Sequence, residues 1–136
     1  MRERRAAYRI GLPGPLYCDA SALFKLYVPE PGSDELNQNV EGRHDLLVSD
    51  LAITEVVSAL SRRLRQGAIA HERVHRVQND IVGRMDDGVY RRVELTRDVH
   101  RRAEHFLLSL TATPIRAADA LHLAMAMSAQ IGRAHV

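Results

Sequence analysis

With Cys18 as its only cysteine, the chain has no partner for an intrachain disulfide. Its position in the apolar run Leu16-Tyr17-Cys18 reads as a buried structural thiol rather than a nucleophile, which suits a reducing, cytosolic setting. No apolar stretch approaches the length of a membrane span, and the charged start Met1-Arg2-Glu3-Arg4-Arg5 lacks the apolar segment of a secretion signal. Membrane insertion and secretion are therefore not expected. Internal repeats are absent. Lysine is nearly absent too, Lys25 being the only one, so positive charge is carried by arginine. The formal net charge of +2 is too small to identify a polyanionic partner by itself. At 136 residues the length suits one domain able to bury a single core without a disulfide or metal staple.

What is present is an alternation of short apolar runs with helix-like periodicity. Residues 1–15, charged and then broken by Gly11-Leu12-Pro13-Gly14-Pro15, read as an extension without regular structure. Leu16 to Asp19 reads as a strand, Ala22 to Val28 as a helix with Ser21 as its N-cap and stopped by Pro29 and Pro31, and Ser33 to Val40 as a second helix capped by Ser33. Asp45 to Val48 is a second strand. A long helix follows from Ser49 or Asp50 to Gln66, with Ile53, Val56, Val57, Leu60 and Leu64 on one stripe and Gly67 as its stop. Ala70 to Met85 is a further helix, Val89 to Leu95 a third strand, and Thr96 caps a helix to about Leu110. Pro114 is expected to open the last, Ala-rich helix. Strands separated by helices imply an α/β fold in three layers, a parallel sheet flanked by helices. In such sheets ligands gather at the carboxyl ends of the strands. The sequence stops where another strand is expected, at Ile131-Gly132-Arg133-Ala134-His135-Val136. Those residues are what ATC GGA AGA GCA CAC GTC encodes, a widely used sequencing adapter. On this reading the folded domain is 16–130, residues 131–136 are an artefact, and the last strand is lacking.

Three carboxylates stand in segments that are otherwise apolar or small: Asp19 at the end of the first strand, Glu55 within Leu51-Ala52-Ile53-Thr54-Glu55-Val56-Val57, and Asp119 within Ala117-Ala118-Asp119-Ala120-Leu121. An ionised carboxylate in apolar surroundings is costly unless it is paired or bound to a cation. Of these segments only the last has a base close by, Arg116, so the expectation is that the three acids converge on a divalent cation.

These residues also carry a family resemblance. Tyr17-Cys18-Asp19-Ala20-Ser21-Ala22-Leu23-Phe24-Lys25-Leu26-Tyr27-Val28-Pro29-Glu30, Thr54-Glu55-Val56-Val57-Ser58-Ala59-Leu60 and Arg116-Ala117-Ala118-Asp119-Ala120-Leu121-His122-Leu123-Ala124, in that order, resemble the PIN-domain ribonucleases, and among them the VapC-type toxins of type II toxin-antitoxin modules. The resemblance spans about Leu16 to Gln130. It implies an endoribonuclease dependent on Mg²⁺ or Mn²⁺, with Asp19, Glu55 and Asp119 as metal ligands and catalytic residues. It implies an RNA substrate, a cognate antitoxin that covers the acidic groove, and a homodimer. Hard Mg²⁺ prefers carboxylate oxygens and water, and a bound cation stabilises the charge that builds up on a phosphoryl group under attack. Ser21 is expected to orient Asp19 or a water beside the metal. The family's fourth acid, an aspartate after the next strand, has no counterpart here. That departure favours a competing class, a weakened PIN domain that binds RNA or antitoxin without cutting.

Other features have plainer readings. His122 lies one turn from Asp119 and reads as a satisfied core histidine, since oxygen-only sites suit magnesium. His71-Glu72-Arg73-Val74-His75 matches the zinc-peptidase pattern, but with no third ligand in a protease-like context a charged, solvent-facing helix explains it, and no structural or catalytic zinc is expected. The arginine clusters Arg62, Arg63, Arg65 and Arg91, Arg92, Arg97, Arg101, Arg102 fit solvated helix faces as well as an RNA-facing surface.

Overall fold

Residues 14–134, with side chains to residue 129, are described by a computed structural model, and its elements begin and end at the chain's capping and turn residues. In order they are β1 (Leu16–Cys18), α1 (Ala20–Tyr27), α2 (Ser33–Val40), β2 (Leu46–Ser49), α3 (Asp50–Arg65), α4 (His71–Asp86), β3 (Tyr90–Val93), α5 (Arg97–Ser109) and α6 (Ala117–Ala134). This is the α/β class expected. The three strands form one sheet in the order β1-β2-β3. β1 runs parallel to β2, with Leu16 opposite Leu46 and Cys18 opposite Val48.

Two compact units divide the chain, one reaching to Arg92 and the other starting at Val93. The core of the first gathers the sheet residues Cys18, Leu46, Val48 and Tyr90 with one stripe from each of three helices: Leu23 and Phe24 of α1; Ala52, Ile53, Val56 and Leu60 of α3; Val74, Val77, Ile81 and Met85 of α4. The helical stripes recur at three- and four-residue spacing, which keeps one face apolar. Each fully buried Leu or Ile contributes about 1.5–3 kcal/mol relative to an exposed one. Arg84 donates to the Tyr27 hydroxyl, which also meets the Tyr90 hydroxyl, so polar groups of α1, α4 and β3 satisfy one another. The second unit is the α5–α6 pair, packed on each other. There Val99 and Ala103 of α5 and Ala120, Ala124 and Met125 of α6 are buried.

Several boundaries differ from the sequence reading, for local reasons. Ser21 is not the N-cap of α1. Asp19 takes that role, its Oδ1 accepting the Ala22 N–H at 2.9 Å, so the helix starts at Ala20. Ser33 does not cap α2 but is its first residue. Gly32, at φ 91°, supplies the left-handed turn before it, while the buried Ser33 hydroxyl accepts the Glu30 N–H and donates to the Val28 carbonyl. Glycine reaches that φ without steric cost. Pro114 does not open α6. The Asp119 carboxylate accepts the Arg116 N–H at 3.3 Å, which fixes the helix start at Ala117. β3 is shorter than Val89–Leu95. The backbone of α6 continues to Ala134, and no strand follows α5 among the described residues. The extension assigned to 1–15 lies, up to residue 13, outside the described residues, as do residues 135 and 136.

Candidate metal centre

The register of β1 on β2 sets two strand-to-helix junctions side by side. Cys18 faces Val48, so Asp19, just past β1, and Ser49, the last residue of β2, are neighbours at the sheet's carboxyl edge. Each caps the helix that follows: Asp19 caps α1, and Ser49, fully buried, accepts the Ala52 N–H at 3.1 Å to cap α3. Both use a short side-chain oxygen to satisfy a first-turn N–H that has no intrahelical acceptor. Tyr17, one residue before Cys18, lies 3.5 Å through its hydroxyl from Ser49 Oγ.

Glu55 stands on α3 at the shoulder of the buried stripe and is half-buried, between the exposed Thr54 and the buried Val56. Its carboxylate and that of Asp19 both act on Tyr17. Burial and then these two negative charges outweigh the Ser49 hydrogen bond and push the Tyr17 phenol up to about 12. Burial, with Asp19 behind it, likewise pushes the Cys18 thiol up to about 11. Two carboxylates from different elements, one ending β1 and one on α3, thus both raise the same phenol at the carboxyl edge of the sheet.

The premise that these acids sit in apolar surroundings is corrected by their exposure. Asp19 and Asp119 are exposed and Glu55 is half-buried, so none has lost its water. Apolar neighbours in sequence do not bury these acids, because Asp19 is a helix cap at the sheet edge and Glu55 and Asp119 stand to the side of their helices' buried stripes. Asp119 lies in the first turn of α6, in the second unit, and its carboxylate is engaged by the Arg116 backbone rather than the guanidinium. Among the described residues no group of three or more His, Cys, Asp or Glu side chains is close enough together to hold a metal ion. His122, one turn beyond Asp119, is buried. Ser21 lies exposed in the first turn of α1.

Sequence reasoning missed Tyr17, and it missed the pairing around Asp50. Asp50 opens α3 beside Ser49, and Arg92 of β3 donates to it while standing 3.9 Å from Asp86. An arginine 42 residues away is not assignable to Asp50 without the strand register. His71 and His75 are both exposed on α4, their Nε2 atoms 3.4 Å apart.

The buried phenols give a direct check. Tyr17 and Tyr27 both hold their protons beyond the ordinary range, Tyr27 because burial and the neighbouring Tyr90 outweigh Arg84. In an alkaline absorbance titration two of the four tyrosines are expected to ionise late, and Tyr17→Phe is expected to remove one late phenol. The folded phenols stay protonated where the unfolded chain has lost its protons. Stability is thus full below about pH 10 and declines as pH rises from there toward the folded values. Uniform ionisation near pH 10 would contradict the packing of Tyr17.

Comparison with known proteins identifies the family. Residues 16–134 match the PIN domain family. The chain is 34% identical over 115 residues to Ribonuclease VapC45 and, equally, to Ribonuclease VapC49, both of Mycobacterium tuberculosis; each match covers 83% of this chain and 75% of the relative. Ribonuclease VapC46 of the same organism is 37% identical over 73 residues, 49% of this chain and 56% of the relative.

Proposed function

Since the chain belongs to the PIN domain family, we propose that it is a metal-dependent endoribonuclease acting as the toxin of a toxin-antitoxin module. The observation that carries this reading is the register of β1 on β2, which sets Asp19 and the start of α3, the helix that bears Glu55, side by side at the carboxyl edge of the sheet. Asp19, Glu55 and, from α6, Asp119 hold Mg²⁺ or Mn²⁺ in this proposal. The chemistry of the donors supports the reading: carboxylate oxygens are what hard divalent cations take, and Asp19 and Asp119 are each exposed to the water that Mg²⁺ keeps. When bound, the cation polarises the scissile phosphate and the attacking water.

The chain's own residues supply the rest. The Ala22 N–H fixes one oxygen of Asp19, so that the carboxylate is oriented before any ligand arrives. Glu55 is held by α3, whose start is fixed by the buried Ser49 cap. The Tyr17 hydroxyl, protonated at neutral pH, adds no negative charge of its own and bridges toward Ser49. Ser21, in the first turn of α1, orients Asp19 or a water next to it. The partners proposed are an RNA substrate, a cognate antitoxin that masks the acids, and a second copy of the chain in a homodimer.

The test is cleavage of total and defined RNAs by the purified chain with Mg²⁺, with Mn²⁺ and with EDTA, in the presence and absence of the antitoxin. Endonucleolytic fragments with either cation, suppressed by EDTA and by antitoxin, are expected. Tight antitoxin or RNA binding with no cleavage under any cation would overturn the enzyme and leave the binding module.

A further inference from the structure

The motif His71-Glu72-Arg73-Val74-His75 takes no part in the ribonuclease reading, yet its two histidines are brought together. α4 turns its Val74, Val77, Ile81 and Met85 stripe into the core, and His71 and His75 stand exposed on the flank of that stripe, one turn apart. Their rings meet edge to face with centroids 4.5 Å apart, and Nε2 lies 3.4 Å from Nε2. Two nitrogens bound at about 2.0–2.1 Å to one tetrahedral centre lie about 3.3–3.4 Å from each other. We propose that His71 and His75 form a two-imidazole chelate for a borderline divalent transition-metal ion of the zinc class.

The surroundings of the pair decide what kind of site this is. At about 100° per residue, Glu72 and Arg76 lie farther round the helix and Arg73 on the opposite flank, where its guanidinium donates to the Tyr27 carbonyl at 3.2 Å. The Arg73 guanidinium is thus engaged away from the imidazoles. The same flank continues with Gln78, Asn79 and Val82, none of them an imidazole or a carboxylate, and the one carboxylate within a turn is the exposed Glu72, three residues before His75. Water completes the coordination, so the ion exchanges. His71 is also the first residue of α4, where the positive end of the helix dipole weakens cation binding further. The inference is an exchangeable surface site, not a structural or catalytic zinc centre, and it does not depend on the ribonuclease reading. Imidazole nitrogen selects borderline ions, whereas the oxygen donors of Asp19 and Glu55 select hard ones, so the two places sort metals by chemistry.

The experiment is calorimetric titration of the untagged chain with Zn²⁺ in a large excess of Mg²⁺, which occupies the carboxylates. One equivalent is expected to bind to the wild type. In His71→Ala and His75→Ala, binding is expected to be weaker by roughly tenfold or more, because half of the imidazole donor set is gone. Both side chains are exposed, so the variants are expected to keep the wild-type circular dichroism and the wild-type response to Mg²⁺. Retention of the untagged wild type on immobilised Ni²⁺, lost in either variant, is the second readout. Identical zinc affinity in the wild type and both variants, or no zinc binding by the wild type, would overturn the site.

Discussion

Asp19→Asn is expected to lower RNA cleavage in Mg²⁺ by roughly 100- to 1000-fold, the equivalent of a few kcal/mol of electrostatic stabilisation supplied through the bound cation. Its stability without metal is expected to remain unchanged or rise. The reasoning separates two roles of one side chain. Asp19 caps α1 through the Ala22 N–H, and asparagine caps nearly as well as aspartate. The substitution thus keeps the helix start and removes only the charge. Asp19→Ala removes the cap as well and is expected to cost about 1 kcal/mol of stability in addition. Glu55→Gln, on the half-buried shoulder of α3, is expected to match Asp19→Asn in activity. Stability with and without Mg²⁺ is the second readout, because a ligand that binds the folded state raises its stability by mass action. Asp19→Asn is expected to lose most of that rise. Wild-type cleavage by Asp19→Asn, or an undiminished Mg²⁺ effect on its unfolding, would remove Asp19 from the site.

The same residue shows how far the sequence could be read. That Asp19 closes a strand and precedes a helix is legible from Leu16-Tyr17-Cys18 and the apolar spacing beyond it. Which residue caps that helix is not, because Asp19 and Ser21 are both good caps and the choice depends on where the chain turns out of β1. The apolar stripe of α3 was legible because tertiary packing and helical periodicity agree there, whereas the Val74, Val77, Ile81 and Met85 stripe of α4 is interleaved with charged residues and was read only as a helix. The exposure of the acids was misread. A flank rich in apolar residues describes the whole turn of a helix, whereas burial is decided by the face, and Asp119 on α6 lies away from Ala120 and Ala124. Tyr17 and the Asp50–Arg92 pair were out of reach for a different reason. Both depend on which strands pair and in what register, a long-range property that no local window contains. The start of α6 turned on a single hydrogen bond from Arg116 to Asp119, which outweighed the preference of Pro114 for a first-turn position.

Leu60→Ala is expected to destabilise the chain by about 2–5 kcal/mol, among the largest effects a single substitution produces. Leu60 is fully buried on α3, in the cluster that joins α3 to α1, α4 and the sheet. Truncation loses the transfer free energy of the removed atoms and leaves a cavity that the rest of the cluster, with members as deeply buried as Ile81 and Val56, fills only in part. Against a total stability of about 5–15 kcal/mol, that is a large fraction. The chemical consequence follows from position. Leu60 and Glu55 are carried by one helix, five residues apart, and α3 is oriented by the stripe that Leu60 belongs to. As that stripe loosens, Glu55 loses its fixed placement beside Tyr17, so Mg²⁺ binding and cleavage are expected to weaken although no donor atom has been touched. Urea unfolding with and without Mg²⁺ checks both effects. A lowered midpoint with an unchanged slope marks a change in stability alone. Leu108→Ala is the control: Leu108 is 80% exposed, so its truncation is expected to stay within about 0.5 kcal/mol. A cost below about 1 kcal/mol for Leu60→Ala would mean that α3 is not held through this contact, since truncations of buried leucines ordinarily exceed it. The placement of Glu55 would then require another support, the Ser49 cap being the first to test.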